Sequence, residues 1–182
     1  MNASLLGRRA VCGGNGPDRR GALAAPFLLA ACASEPPLGP PSERRDLSAL
    51  RLDAPGALAW LNAYRAKSEL PPVQLDAGLT ALAQQQADAM AAADRLSHDV
   101  AGGFSSRLAA AGLKVGEAGE NVCAGYYSTQ AAMLSWAHSP EHDANLRLRS
   151  ATRFGVALAK NPRSRYGAYW AMAIASPPPG AS

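Results

Sequence analysis

The sequence predicts an α+β domain rather than a doubly wound parallel sheet. Apolar residues recur at spacings of three and four between residues 54 and 94, the period of a helix. The period shortens to two near the C-terminus, where Phe154, Val156 and Leu158 alternate with small residues. Helices therefore come first and an antiparallel hairpin comes last, an order that segregates the two kinds of element.

Taken in order, the elements justify themselves locally. From Ala54 to Ser68, Leu58, Leu61, Tyr64 and Arg65 share one helical face, and Pro71-Pro72 ends the pattern. Asp76 can N-cap a second helix running to about Asp94, with Leu79, Leu82, Ala83, Gln86 and Met90 on its buried face. Alanine is frequent in this helix, so it can approach its neighbours closely. A short third helix covers Phe104 to Ala111, with Gly112 as its stop. Glu120 to Ala124 reads as the first strand. Ser128 caps a fourth helix through Met133, Leu134 and Trp136, which Pro140 halts. The strand around Phe154 to Leu158 follows, Asn161-Pro162 begins a turn, and Tyr166 to Ile174 returns as its antiparallel partner. Pro177-Pro178-Pro179 closes the domain.

The chain of 182 residues is long enough for one domain, and 48% apolar residues allow a sizeable core. The formal net charge of +4 belongs to the N-terminus, where Arg8, Arg9, Arg19 and Arg20 face Asp18 alone. The remainder is close to neutral and carries no basic stripe, so nucleic acid is not an expected partner. The three cysteines are an odd set and do not form a disulfide framework.

The first residues read as an address. Arg19-Arg20 precede an apolar run from Ala22 to Ala31, which is shorter than the roughly 20 residues needed to span a bilayer. The run ends in Leu29-Ala30-Ala31-Cys32, which resembles a bacterial lipobox. The expectation is a signal peptide over residues 1–32 and lipidation of Cys32. That lipid would be the membrane anchor, holding the chain on the cell envelope at the outer membrane, facing the periplasm. Residues 33–53, rich in Pro, Ser and charge, read as a tether. Residues 54–176 form the domain, and 177–182 a short tail.

Chemistry centres on few side chains. Of the three histidines, His98 follows the second helix and His142 follows the fourth, with Glu120 between them in the chain. No local element joins these three. Cys123 alternates with Glu120 in face along a strand, so it reads as a core residue rather than a nucleophile. The sequence has no Gly-x-Ser-x-Gly elbow and no His-Glu-x-x-His zinc motif. Asn121 reads as architectural, Trp136 as core and His138 as a surface residue. Arg107 is by default on an exposed face, with a carboxylate as its alternative partner.

Eight pieces in order carry a resemblance. They are Leu61-Asn62-Ala63-Tyr64-Arg65, Pro72-Val73-Gln74-Leu75-Asp76, Leu96-Ser97-His98 and Phe104-Ser105-Ser106-Arg107. Gly119-Glu120-Asn121-Val122, Trp136-Ala137-His138-Ser139-Pro140-Glu141-His142, Phe154-Gly155-Val156 and Tyr169-Trp170 complete them. Together they resemble the CAP superfamily of cysteine-rich secretory, antigen 5 and pathogenesis-related proteins, and look most like its small bacterial SCP-like lipoproteins. The resemblance covers roughly residues 57–175.

It implies a three-layer α-β-α sandwich around a central, mainly antiparallel sheet, with a cleft that carries two histidines and two glutamates. His98, Glu120 and His142 fall on three of those positions, and Ser139 stands on the fourth in place of a glutamate. Glu141 stands where glycine is common, and Asp143 where arginine is common. The expected function is a non-catalytic binding module whose cleft takes a small ligand, a lipid or a divalent metal. The alternative is a metal-dependent hydrolase, with His98 and His142 as metal ligands and Glu120 as general base. Two imidazoles are fewer than the three protein ligands of a catalytic zinc site, so any zinc would be weakly held.

Overall fold

A computed structural model describes residues 46–180. The expected signal peptide, the lipidation site Cys32 and most of the tether lie outside the described residues. The elements run α1 (Ala54–Ala66), β1 (Gln74–Leu75), α2 (Ala77–Ala93), α3 (Phe104–Ala110), β2 (Ala118–Ala124), α4 (Thr129–Ala137), α5 (Pro140–Leu146), β3 (Arg153–Lys160) and β4 (Ala168–Ala175). Three helices start on side-chain caps. Asp53 accepts from the Gly56 N–H at 2.8 Å, Asp76 from Leu79 at 2.8 Å and Ser128 from Ala131 at 3.1 Å. Each satisfies a donor that the first helical turn leaves without a partner.

The strands form one sheet in the order β1-β3-β4-β2, with β1 parallel to β3 and the other two pairings antiparallel. The β3–β4 hairpin lies at the centre, and β2 forms one edge. Alternation along the hairpin sorts most of its side chains by size, with Tyr169 the large exception on the alanine face. Phe154, Val156, Trp170, Met172 and Ile174 point towards Leu61 of α1, Met133 and Trp136 of α4 and Leu146 of α5. Ala157, Ala159, Ala171, Ala173 and Ala175 point towards α2 and α3. The result is an α+β fold in three layers.

The alanine face explains the close seat of α2. A Cβ on Gly155 would lie 2.3 Å from the Thr80 nitrogen and 2.4 Å from the Leu79 carbonyl carbon, so only a glycine fits beneath that helix. On the other side Arg65 is fully buried. It donates to the carbonyls of Pro71, Leu146 and Leu148 at 2.8, 2.8 and 3.1 Å, which ties α1 to the segment leading into β3.

Three expectations need correction. Pro140 does not halt a helix; α4 ends at Ala137, and Pro140 opens α5. Proline suits that position because the N–H it lacks would have no helical partner there. The approach to α2 contains a short strand, β1, that the sequence pattern does not announce. The domain also starts earlier than residue 54, because Leu47 and Leu50 of the expected tether are buried in the core. Lys160 Nζ fastens that segment by donating to both of their carbonyls at 3.1 Å.

Candidate functional site

The site is built on the edge strand β2, whose neighbouring side chains serve opposite faces. Glu120 points to the α2–α3 side and is buried. Its two oxygens have separate partners. Oε1 lies 3.0 Å from His98 Nδ1, and Oε2 accepts from Arg107 Nη2 at 2.5 Å. Arg107 and Glu120 side chains are each 3% exposed, whereas His98 is 49% exposed. A buried ion pair is thus capped by an imidazole that reaches solvent. Arg107 is held in turn. Its Nε donates to the Gly102 carbonyl at 2.9 Å and its Nη1 to the Leu82 carbonyl at 3.4 Å, and the guanidinium carbon lies 5.5 Å from the centre of the Phe104 ring.

Asn121, on the opposite face of β2, donates to the His142 carbonyl at 3.0 Å. Asn145 donates to Asn121 Oδ1 at 2.8 Å and to the Glu120 carbonyl at 3.2 Å. These bonds fasten α5 to β2 and occupy a strand carbonyl. Gly119 makes room for the contact, because a Cβ there would lie 2.4 Å from Asn145 Oδ1. A second clasp fixes α5 to α1. Arg147 Nε donates to both oxygens of Asp143, at 2.9 and 2.8 Å, and the Tyr64 hydroxyl donates to Asp143 at 2.7 Å. Asp143, where the family favours arginine, is therefore structural in this chain.

His142 is half-buried on α5. Burial holds its pKa below the ordinary imidazole value, the nearby His98 lowers it further, and Glu141 opposes both. His98 is thus one of the groups that bear on the His142 imidazole. The structure joins His98 to Glu120 directly, and ties His142 to the opposite face of the same strand through its backbone carbonyl and Asn121. Ser139 is less closely tied. Its hydroxyl turns to Glu141, 3.3 Å away, and it caps no helical N–H of α5.

Arg107 is the residue the sequence reading undervalued. An arginine on a helix is exposed by default, but Phe104 and Leu108 flank this one with apolar surface. A strand glutamate expected to be buried also needs a counter-charge. Cys123 packs with the α1–α4 side of the core. Burial pushes its thiol up to about 12, which leaves almost no thiolate for nucleophilic attack near neutral pH.

The donor set does not fit a resident metal ion. With Glu120 buried and bonded to Arg107 and His98, the predicted positions offer only the two imidazoles, and the Glu141 carboxylate accepts from Ser139. Among the described residues no group of three His, Cys, Asp or Glu side chains is placed to hold a metal. Groove size does not mark the site either. A groove of about 590 Å³ beside α3 is lined by Phe104, Leu108, Leu113 and Val115 and contains none of these histidines.

The fold is that of a CAP domain, and comparison with known proteins agrees. Residues 58–174 match the model of the CAP family, described as the Cysteine-rich secretory protein family. The chain belongs to that family. No curated protein matches the sequence.

Solved structures share the fold. One is an extracellular protein with an SCP domain from Bacillus anthracis, with TM-score 0.59 and 23% identity, covering 67% of this chain and 39% of that one. Another is an outer surface protein of Borrelia burgdorferi, with TM-score 0.60 and 14% identity, covering 69% and 96%. A third is a cysteine-rich secretory protein of Staphylococcus aureus, with TM-score 0.52 and 16% identity, covering 69% and 41%. This chain therefore spans well under half of the Bacillus and Staphylococcus proteins. No described helix is long and apolar enough to cross a membrane.

Proposed function

We propose that this chain is a lipid-anchored envelope protein whose CAP domain binds a small ligand between His98 and His142 without catalysing a reaction. One observation carries the choice of binding over catalysis: both oxygens of Glu120 are committed, one to Arg107 and one to His98. A general base must come within hydrogen-bond reach of the proton it removes, which a carboxylate buried behind His98 does not offer, and a hydrolytic site needs an activated water. The half-exposed imidazole of His98 remains available for a ligand, and His142 and Ser139 are the partners this reading assigns to it.

The anchor reading is supported by Arg19-Arg20, the short apolar run and Cys32. The compartment is supported by the extracellular and surface character of the Bacillus and Borrelia proteins.

Hydrolysis of peptides, esters and glycans by wild type and by Glu120→Gln tests the binding reading. No turnover by either is expected, and a turnover that Glu120→Gln abolishes would overturn it. Zinc titration of wild type against His98→Ala/His142→Ala should show at most a weak difference; tight stoichiometric binding lost in the double variant would contradict the donor set described above. Cys32→Ser should release the chain from the membrane fraction or leave an unprocessed precursor. Unchanged partition and unchanged mobility together would refute the anchor.

A further inference from the structure

We infer that Arg107 is a positioning residue: acting through Glu120, it sets His98 to offer an unprotonated Nε2 to the cleft, so the ligand is one that donates a hydrogen bond there. The ligand half of this inference rests on the binding reading above; the positioning half does not.

The argument runs along one line of atoms. A guanidinium has five N–H donors and no acceptor, so the Glu120 oxygen facing Arg107 can only accept. A carboxylate paired in this way accepts at its other oxygen too. His98 Nδ1, 3.0 Å from that oxygen, must then be the donor. In a neutral imidazole the proton resides on one nitrogen and the other carries a lone pair. With Nδ1 protonated, the lone pair is on Nε2, the nitrogen not bonded to Glu120, in a ring that is 49% exposed.

The surroundings favour the same ligand chemistry. Burial and the neighbouring His98 disfavour a charge on His142. Arg107 is spent on Glu120, and Arg147 on Asp143 and Tyr64. Glu141 adds an exposed carboxylate beside Ser139. An anionic head group would meet no uncommitted cation among these residues, whereas a hydroxyl or an ammonium finds acceptors.

The substitution Glu120→Gln provides a test that a purely structural role would not pass. Arg107 offers donors only, so the introduced amide must present its carbonyl to Arg107 and its N–H to His98. Nδ1 then becomes the acceptor, and the proton moves to Nε2. Glu120→Gln should thus invert the tautomer and turn the outward nitrogen from acceptor to donor, at almost unchanged shape.

The measurement is nitrogen NMR of the detergent-solubilised full chain, ¹⁵N-labelled at histidine, at pH 8. N-acetylglucosamine supplies the hydroxyl probe, ethanolamine the ammonium probe and inorganic phosphate the anion. Wild type should show His98 protonated at Nδ1, and its Nε2 signal should respond to N-acetylglucosamine or ethanolamine and not to phosphate. Which of the two acts identifies the donor. Glu120→Gln should show the opposite tautomer and about tenfold weaker response to the donor probe, the scale of one lost hydrogen bond. Wild-type His98 protonated at Nε2, or an unchanged tautomer in Glu120→Gln, would overturn the role of Arg107. A response to phosphate alone would overturn the ligand class. Correct tautomers with no response to any probe would also overturn the ligand class while leaving the positioning role standing.

Discussion

Arg107→Met asks how much of the domain depends on the buried pair behind His98. Methionine keeps the unbranched apolar stem of arginine as far as its Nε but removes the charge and every donor. Glu120, 3% exposed at its side chain, would be left buried without its cation, and the carbonyls of Gly102 and Leu82 would lose a donor. Removing one partner of a buried ion pair costs about 3–5 kcal/mol. With about 2–4 °C lost per kcal/mol in a chain of this size, the melting temperature should fall by roughly 6–20 °C. Urea unfolding should show a lower midpoint at unchanged slope, the mark of lost stability without a change in the surface exposed. The double variant Arg107→Met/Glu120→Met should recover a large part of the loss, because apolar replacement of both partners removes the stranded charge. A loss below about 1 kcal/mol in the single variant, or a double variant no better than the single, would refute the pairing as the source of the cost.

Three further outcomes follow from the packing and the ionisable groups. Gly155→Ala should cost about 1–3 kcal/mol, because the new methyl meets immovable α2 backbone, and an unchanged urea midpoint would count against the close seat of that helix. The Cys123 thiol, pushed up to about 12, should resist thiol reagents in the folded protein and label at once in denaturant; rapid native labelling at that cysteine would contradict its burial. His142 titrates below the ordinary imidazole value in the folded chain, so below about pH 6.5 the unfolded chain takes up a proton that the native one resists. Wild-type stability should therefore fall as pH drops through that range and His142→Gln should lose less, and identical acid sensitivity would argue against a half-buried imidazole.

What the sequence disclosed follows from how local each signal is. The helices α1, α2 and α4 are legible because their apolar spacing and the caps Asp76 and Ser128 are short-range features. The hairpin is legible because Phe154, Val156 and Leu158 keep a period of two. The two residues of β1 carry too little pattern to signal a strand, and they form one only by pairing with β3, far along the chain. Pro140 is ambiguous in isolation, since proline both ends helices and opens them, and α5 depends on contacts with β2 and α1. The end of the tether misleads because Leu47 and Leu50 stand among prolines and charges, and burial there depends on a cavity the sequence does not display.

The site divides in the same way. His98, Glu120 and His142 stand out by resemblance to a family, and Ser139 by its place in the same pattern. The decisive partner, Arg107, is invisible to periodicity because its burial is a consequence of where β2 sets Glu120.

The central claim is that His98 and His142, far apart in the chain, share one cleft. The most direct measurement is the pH titration of the His142 imidazole by NMR in wild type and in His98→Gln, which keeps bulk near the site but removes the charge. The neighbouring imidazole contributes to the lowered pKa of His142, after burial. The account predicts that the His142 midpoint moves upward in His98→Gln and stays below the ordinary value of about 6.5, because burial remains. A midpoint identical in the two proteins would mean that the histidines do not face one another, and the shared cleft would be wrong.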